Sequence, residues 1–561
     1  MGTNQRRKTE ADRRTTRRQE SKRSSAPSNT TDPQAAPALV TGRPVARPMP
    51  QRDRKMPSEA MSPPTVAATG TRWWDTVRGD ILLSALGVLV ALALYLPRLE
   101  EPPKYIYDEV YHAYTASQYA IGNADAWLWT TKAPEGVAYE WTHPPLGKLI
   151  ITLGVLLFGD NSLGWRFTSA ITGALGLAAV YWLGLTLTKQ RLVAILAAVL
   201  TLVDGLYFVE SRTGVIDIFG AVFMTCAFIA LYAFVTAPPT RVRTPLLLLG
   251  LSMGLGIANK WNAVYPAALI GTFALWRTFE LLPFRLRRPV AGGAAALLAL
   301  AVALAPPLRS GTGLILATLI GVLIAFQLYK LFVVTPAPSE ARGAGAGAGL
   351  LQHLIWVPLG LVALPLGVYL LSYVPFFLAG HTVEQLIELQ RQMYYYHANL
   401  VATHAYASKW YQWPFAWKPV WYSVSYGQDV ASYTYANGNP FLYWAFLPAV
   451  AFVMARWWSQ RHPALPILAI GFLGQWLPWA LIPRLAYIYH FLPASIFGTL
   501  AVAVSLATFW EWGRNAIGWR AFTVAYVAVV LVAFTFFYPI YSSVNLTKVG
   551  YESRIWIESW R

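Results

Sequence analysis

The stretch GDILLSALGVLVALALYL at residues 79–96 decides the fold class, because its 18 residues contain only one charged side chain, Asp80. As a helix, a run of this length spans the ~30 Å hydrocarbon core of a bilayer. Twelve further apolar runs follow it along the chain. They lie at residues 165–187, 191–208, 214–236, 245–258, 261–276, 290–306, 312–335, 351–377, 440–456, 464–482, 485–508 and 520–541. The sequence therefore predicts an all-α polytopic membrane protein.

The composition of the whole chain agrees with this prediction. The 561 residues are 55% hydrophobic and 13% charged, with a mean hydropathy of +0.40. A soluble domain carries about 25% charged residues, so water-soluble and disordered classes are excluded. The single cysteine, Cys226, excludes a disulfide scaffold. A net charge of +18 would suggest nucleic acid in a soluble protein, but its position along the chain predicts no nucleic-acid partner here.

The basic residues predict the orientation. Residues 1–60 contain 14 Lys/Arg and 6 Asp/Glu, so we interpret 1–77 as a disordered, basic, cytoplasmic tail. The remaining basic clusters then fall on inner loops of a catalytic membrane domain at 78–541. Two long hydrophilic segments, 97–164 and 378–439, are expected outside, as is a C-terminal tail at 542–561.

Three cations break this orientation rule. Arg212, Lys260 and Arg484 each lie at a predicted outer end of a span, which suggests an anion at the outer leaflet. For Lys260 and Arg484, which have no acidic residue close in sequence, binding is favoured over snorkelling to the interface. For Arg212, with Glu210 and Asp217 nearby, an internal ion pair between helices is an equal alternative.

An adjacent pair of carboxylates, Asp108 and Glu109, follows the first span. Neighbouring residues on a helix point about 100° apart, so these two cannot flank one sugar as a retaining pair. One carboxylate could act as a base while the other holds a neighbouring group or a metal. A solvated or helix-capping pair is the alternative.

Two further external features are candidates for substrate binding. His143 opens the turn HPPLGK, whose Lys148 could contact phosphate or could be an interfacial lysine. Between Tyr394 and Tyr435, 14 of 42 residues are aromatic, including Trp410 and Trp413. This segment is either an interfacial belt or a surface that stacks on a sugar or peptide. The histidine spacing fits no metal motif, so no metal site is predicted.

These features permit one simple reaction. If the anion is a lipid phosphate that carries a sugar, the phosphate leaves without a general acid. The remaining requirements are cations that stabilise the departing phosphate and one carboxylate that deprotonates the acceptor. Direct displacement with a single base inverts the anomeric carbon. A transporter would more often place such charges at mid-membrane, so an enzyme is favoured.

Several segments together resemble the protein O-mannosyltransferases, the dolichyl- or polyprenyl-phosphate-mannose–protein mannosyltransferases of the GT-C superfamily. The matching segments are YDEVYHAYTASQYA (107–120), HPPLGK (143–148), GWRFTSAITG (164–173), VDGLYFVESRTGVID (203–217), GLGIANKWNAVY (254–265), HAYASKWYQWP (404–414) and IPRLAYIYHFLPA (482–494). The resemblance implies a GT-C fold, with a large first external loop and inverting transfer of mannose from polyprenyl-phosphate mannose to Ser/Thr hydroxyls of translocated proteins.

The resemblance also implies roles for residues. The acidic pair of the family falls on Asp108 and Glu109, with Asp108 as the base. Donor and phosphate contacts are expected among six residues, with Arg166 in a supporting role: Lys260, Arg484, His490, Tyr489, Arg166 and Arg212. No cofactor is expected; a divalent metal stays possible but unsupported.

Two departures from the family pattern are visible. No segment is long enough for the β-trefoil luminal domain of eukaryotic members, which indicates a bacterial type. The family has eleven spans against thirteen here, and the runs within 290–335 are the expected extra pair. We expect a multi-pass plasma-membrane protein that has its active site outside and associates with the secretion machinery. The alternatives are a glycosyltransferase acting on a lipid or cell-wall polysaccharide, and a lipid-linked-sugar flippase.

Overall fold

The predicted spans form helices in a computed structural model, which describes residues 76–283, 286–287, 345–460, 464–482 and 484–561. Within these ranges, eight helices are long and apolar enough to cross a membrane. The polytopic helical architecture is therefore confirmed. The predicted tail at 1–77, except for its last two residues, and the predicted spans at 290–306 and 312–335 lie outside the described residues.

The first half of the described chain is helical, and the hydrophilic segment 97–164 lies within it. They are α1 (Val77–Tyr95), α2 (His112–Ala120), α3 (Leu146–Phe158), α4 (Ser162–Thr188), α5 (Arg191–Leu202), α6 (Gly205–Glu210), α7 (Asp217–Thr236), α8 (Arg243–Asn259) and α9 (Val264–Leu281). The HPPLGK turn leads directly into α3, as the two prolines predict.

The second half contains the remaining helices and a small sheet. The helices are α10 (Gly345–Pro358), α11 (Leu364–Leu371), α12 (Val374–Leu378), α13 (Val383–Asn399), α14 (Pro440–Gln460), α15 (Ala464–Trp476), α16 (Leu492–Trp512), α17 (Gly518–Tyr541) and α18 (Lys548–Glu552). The strands are β1 (Val420–Tyr426), β2 (Val430–Ala436) and β3 (Asn545–Thr547). A π-helical segment, Leu359–Ala363, joins α10 to α11.

Two predicted spans have different bounds for identifiable reasons. The run 191–208 is divided because the carboxylate of Asp204 caps α6, accepting a bond from the Tyr207 amide at 3.4 Å. The run 485–508 becomes helical later, at the one-turn 3₁₀ helix Ile488–Phe491 that precedes α16. α16 is the central helix, since 94% of its most apolar window is buried.

The sheet was not predicted, and it joins parts of the chain that are far apart in sequence. β2 pairs antiparallel with β1 on one side and with β3, in the C-terminal tail, on the other. Trp421 pairs with Tyr435 and Ser423 with Thr434, so Tyr422 between them is a bulge residue. A bulge redirects a side chain, and that of Tyr422 is buried against Glu210.

The close approach of α8 to the π-helical segment gives a test of the packing. A Cβ atom at Gly250 of α8 would overlap the carbonyl oxygen of Gly360, whereas one at Gly271 of α9 would meet nothing within 4 Å. We expect Gly250→Ala to destabilise the protein by about 1–3 kcal/mol, because backbone must move. Gly271→Ala should leave stability unchanged or raise it slightly. Thermal unfolding in detergent measures both; equal midpoints would contradict the packing described here.

Candidate active site

The site residues predicted from the sequence lie close together. The reason is that some helices end, and neighbouring antiparallel helices begin, at the same end of the helix bundle. Lys260 follows the C-terminus of α8, and Asp217 is the first residue of α7. The segment 484–491 leads into the N-terminus of α16, and Asp108 lies in a one-turn 3₁₀ helix, Tyr107–Val110. One end of the helix bundle therefore gathers a carboxylate, several cations and many aromatic rings.

Asp108 is the carboxylate with the fewest partners in this group. Its side chain is half-buried, and the Tyr489 hydroxyl donates a hydrogen bond to it at 3.4 Å. Burial raises the pKa of Asp108 to about 7, against the opposing effect of Lys260. Such a carboxyl can exchange a proton near neutral pH.

The backbone next to Asp108 is strained. Tyr107 has φ of 45°, a left-handed conformation that is uncommon outside glycine. Its ring stacks on Tyr422 with centroids 4.5 Å apart and planes 5° from parallel. Because strain of this kind persists only where surrounding contacts impose it, the bulge that directs Tyr422 inward helps to hold the Asp108 turn.

Glu109 occupies a very different environment from its neighbour. It is fully buried and receives two bonds from Arg166, Nε to Oε1 at 2.7 Å and Nη2 to Oε2 at 2.9 Å. The amides of Ile106 and Gly214 donate to it at 2.9 and 2.8 Å. Glu109 thus joins the Asp108 turn to α4 and to the loop before α7.

Arg166 and Arg212 both donate hydrogen bonds to backbone carbonyls. Besides Glu109, Arg166 donates to the carbonyls of Leu99 and Lys104, both at 3.0 Å. Arg212 donates to four carbonyls that follow or end α1: Leu94, Tyr95, Pro97 and Arg98. Carbonyls at a helix C-terminus lack partners of their own and favour a cation.

Lys260 is paired with Asp217 but has one N–H donor that this pairing does not use. Its Nζ lies 2.9 and 3.0 Å from the two oxygens of Asp217, and both side chains are buried. An ammonium group has three N–H donors, so one remains beyond this carboxylate. Lys260 also lies 5.4 Å from the ring centroid of Tyr489. Tyr489 therefore lies between the cation and Asp108.

A small pocket adjoins this lysine. Polar groups from five elements line it together with apolar side chains: Asp217, Asn259, Lys260, Asn262, Gln475 and His490. The His490 ring packs at 4.3 Å from that of Trp479, centroid to centroid, and its Nδ1 is bonded within its own turn to Tyr487. His490 is thus fixed at the wall of the cavity.

Arg484 approaches the site from the side of α13. Its Nη1 donates to Nδ1 of His397 at 2.9 Å, and Nε2 of His397 donates to the Thr142 carbonyl at 2.8 Å. The His397 ring stacks on His143 with centroids 5.0 Å apart. Burial, followed by Arg484, lowers the pKa of His397 to about 4, so this imidazole is neutral at physiological pH.

Lys148 is neither interfacial nor open to a ligand. It is 1% exposed, and its three donors go to Glu140 Oε2 at 2.6 Å and to the carbonyls of Glu140 and His143 at 2.7 and 2.8 Å. Burial would raise the pKa of Glu140, but Lys148 holds it at about 2. The ion pair fixes the HPPLGK turn and with it His143.

Trp410 and Trp413, the two tryptophans predicted to bind substrate, differ in their exposure to solvent. Trp413 is 1% exposed and donates to Ser408 Oγ at 2.9 Å, so it is a core residue. Trp410 is partly exposed and its carbonyl accepts from Trp476. The aromatic segment is therefore divided: seven of its 14 aromatic side chains are exposed, and the others are wholly or partly buried. Trp560 of the C-terminal tail packs on the buried part and donates to the Ala416 carbonyl at 2.7 Å.

Sequence reasoning missed Glu140, His397 and Tyr422. Glu140 stands three residues before His143, within reach of the same turn, which is a signal that could have been used. His397 and Tyr422 gave no such signal, because their partners, Arg484 and Glu210, are 87 and 212 residues away. No group of three or more His, Cys, Asp or Glu side chains that could hold a metal ion occurs among the described residues.

Comparisons with known protein families agree with this geometry. The model of the dolichyl-phosphate-mannose-protein mannosyltransferases matches residues 85–305, and that of the C-terminal four-transmembrane region of protein-O-mannosyltransferase matches residues 382–560. The two matches together include each of the candidate residues named above.

Individual proteins are similar over most of the chain. Polyprenol-phosphate-mannose–protein mannosyltransferase of Mycobacterium tuberculosis is 26% identical over 534 residues, covering 87% of this chain and 93% of that protein. The protein of the same name from Mycolicibacterium smegmatis is 28% identical over 464 residues, 75% and 82% of the two chains.

A solved structure shares the fold. The Saccharomyces cerevisiae protein O-mannosyltransferase Pmt1–Pmt2 complex bound to the sugar donor aligns with a TM-score of 0.64 at 14% identity, covering 86% of this chain and 93% of that chain. The predicted GT-C fold is thereby confirmed.

The two adjacent carboxylates should respond differently to neutralisation. Glu109→Gln leaves the Arg166 charge buried without its partner, and we expect a loss of about 3–5 kcal/mol of stability. Asp108→Asn changes one long hydrogen bond and should cost about 1 kcal/mol or less. Thermal unfolding of the two variants in the same detergent makes the comparison. Equal destabilisation would show that Glu109 does not hold the turn.

Proposed function

This chain belongs to the protein O-mannosyltransferase family of glycosyltransferases, and from that membership we propose that it transfers mannose from polyprenyl-phosphate mannose to Ser or Thr hydroxyls of proteins. The observation that carries the proposal is Asp108, a half-buried carboxylate with a pKa of about 7, joined through Tyr489 to the buried cation Lys260. A base and a phosphate-binding cation are what this reaction needs.

The proposed reaction is a single displacement. Asp108 accepts the proton of the acceptor hydroxyl as its oxygen attacks the anomeric carbon of mannose. The bond between that carbon and the phosphate oxygen breaks, and polyprenyl phosphate leaves with the electron pair. The configuration at the anomeric carbon is inverted, and the proton remains on Asp108 until solvent removes it.

We assign the donor phosphate to Lys260, Arg484 and His490. Lys260 and His490 face one cavity, and the remaining N–H of Lys260 can reach an anion there. A guanidinium or ammonium beside the departing oxygen stabilises the charge that develops on it. Arg166 and Arg212, whose donors meet Glu109 and backbone carbonyls, are assigned to holding the external segment in place.

We further propose that the reaction occurs at the outer face of the plasma membrane. The support is the distribution of basic residues, which favours a cytoplasmic N-terminus and places Asp108 outside. Acceptors would then be proteins in the course of translocation, which is the reason to propose an association with the secretion machinery. The displacement as written uses no metal ion.

The function is tested by transfer of labelled mannose to a Ser/Thr-rich peptide in membranes that contain the protein. We expect product with the wild type and at least ~100-fold less with Asp108→Asn, because the base is removed. Asp125→Asn is the matched control, since Asp125 is an exposed carboxylate of the same external segment. A chelator arm should leave the rate unchanged.

Four outcomes would contradict parts of this proposal. If wild-type membranes transfer mannose only to a lipid or a polysaccharide, the acceptor is not a protein. If the donor crosses the membrane and no mannose is transferred, the protein is a flippase. Full activity of the Asp108→Asn variant would show that Asp108 is not the base. Loss of activity with the chelator, restored by added metal, would contradict the metal-independent mechanism.

The pH profile tests the same carboxylate without mutation. Only the deprotonated form of Asp108 can accept a proton, so kcat/KM for the peptide should rise with pH and level off above about 7. Below that value the rate should fall roughly tenfold for each pH unit. A flat profile between about pH 5.5 and about pH 8.5, at saturating donor, would contradict the assignment.

A further inference from the structure

His397 connects the external helix α13 to Arg484, and its bonds leave a single arrangement of protons. A guanidinium can only donate, so Nδ1 of His397, 2.9 Å from Arg484 Nη1, carries no proton. A carbonyl can only accept, so Nε2, 2.8 Å from the Thr142 oxygen, carries one. The backbone of the segment before HPPLGK thereby sets the tautomer that binds the arginine.

We propose that His397 is a positioning residue, which holds Arg484 in the orientation that binds the donor phosphate. The inference rests on the proposed function, because it requires Arg484 to be a donor ligand. It adds a residue of the segment 378–439, in which the sequence analysis placed no phosphate ligand.

The chemical character of His397 supports this role. In the described part of the chain, no carboxylate lies within salt-bridge distance of Arg484, whereas Lys260 is paired with Asp217. A neutral imidazole can orient a guanidinium without cancelling its charge. Arg484 therefore keeps its full positive charge for an anionic ligand, which a carboxylate partner would have reduced.

The surroundings of His397 make it a firm support. Its ring stacks at 5.0 Å on His143, the first residue of HPPLGK. Thr142, which accepts its bond, donates its own amide at 3.0 Å to Glu140, the buried partner of Lys148. Arg484 is thus linked through His397 to a buried ion pair in another segment. Because its side chain is already held in place, it has less conformational freedom to lose when it binds a ligand than a free arginine side chain would have.

Isosteric substitutions can separate positioning from folding. In His397→Asn the amide oxygen takes the place of Nδ1 and can still accept from Arg484. In His397→Gln the amide nitrogen takes the place of Nε2, so the Thr142 bond is kept and the Arg484 bond is lost. Donor KM and peptide KM are measured for both variants, for Arg484→Ala and for the double variant His397→Gln/Arg484→Ala.

We expect His397→Gln to raise donor KM by about tenfold or more while peptide KM stays near the wild-type value. His397→Asn should restore donor KM to within about threefold of wild type. In the Arg484→Ala background, His397→Gln should have no further effect on donor KM, since the two residues act as one unit. Unfolding midpoints identify any variant that has merely lost its fold.

Each contrary result has a distinct meaning. If wild type makes no mannosyl-peptide, the proposed function fails. If Arg484→Ala raises donor KM but His397→Gln does not, the function stands and the positioning role is overturned. Additive effects of the two substitutions, or equal losses in His397→Asn and His397→Gln, would also overturn it, because they indicate a general structural role.

Discussion

The ion pair between Glu109 and Arg166 is the constraint on which the architecture around Asp108 depends. A fully buried charge pair contributes little net free energy when intact but is costly to break, so it specifies one arrangement of the groups around it. This pair fixes the Asp108 turn against α4 and against the amide of Gly214. With Glu109 saturated by donors, its neighbour Asp108 is the carboxylate of the pair that retains capacity to accept a proton, as the proposed base requires.

The basic groups of the site divide in the same way. Arg166, Arg212 and Lys148 have their donors bound by the protein itself, while Lys260 and Arg484 each retain capacity for an anion. Arg166, Arg212 and Lys148 hold the surrounding segments in place, and Lys260 and Arg484 supply positive charge to the site. In this partly buried environment the N–H donors that these two residues retain would bind an anion more strongly than in water, because the local dielectric is lower.

Sequence predicted the helices well and their contacts poorly. Apolar length alone located the eight described helices that are long and apolar enough to cross a membrane, and the HPPLGK prolines located the start of α3. Side-chain partners could not be read this way: Lys148 pairs with Glu140 and Arg484 binds His397, and both outcomes depend on tertiary packing rather than on spacing. The sheet was missed because its strands are short, and because β1 and β2 are rich in Tyr, a composition that also fits an interfacial belt. The roles of Asp108, Lys260 and Arg484 stay predictions until transfer is measured.

The pairing of β2 with β3 has a consequence for the biosynthesis of the protein. β3 follows α17, so the chain must insert this last described span before residues 545–547 can reach β2. The sheet that contains the bulge residue Tyr422, whose ring stacks on the strained turn beside Asp108, is therefore completed only after α17 has been made. A ribosome-bound chain interrupted before α17 would lack the third strand of the sheet that supports the Asp108 turn.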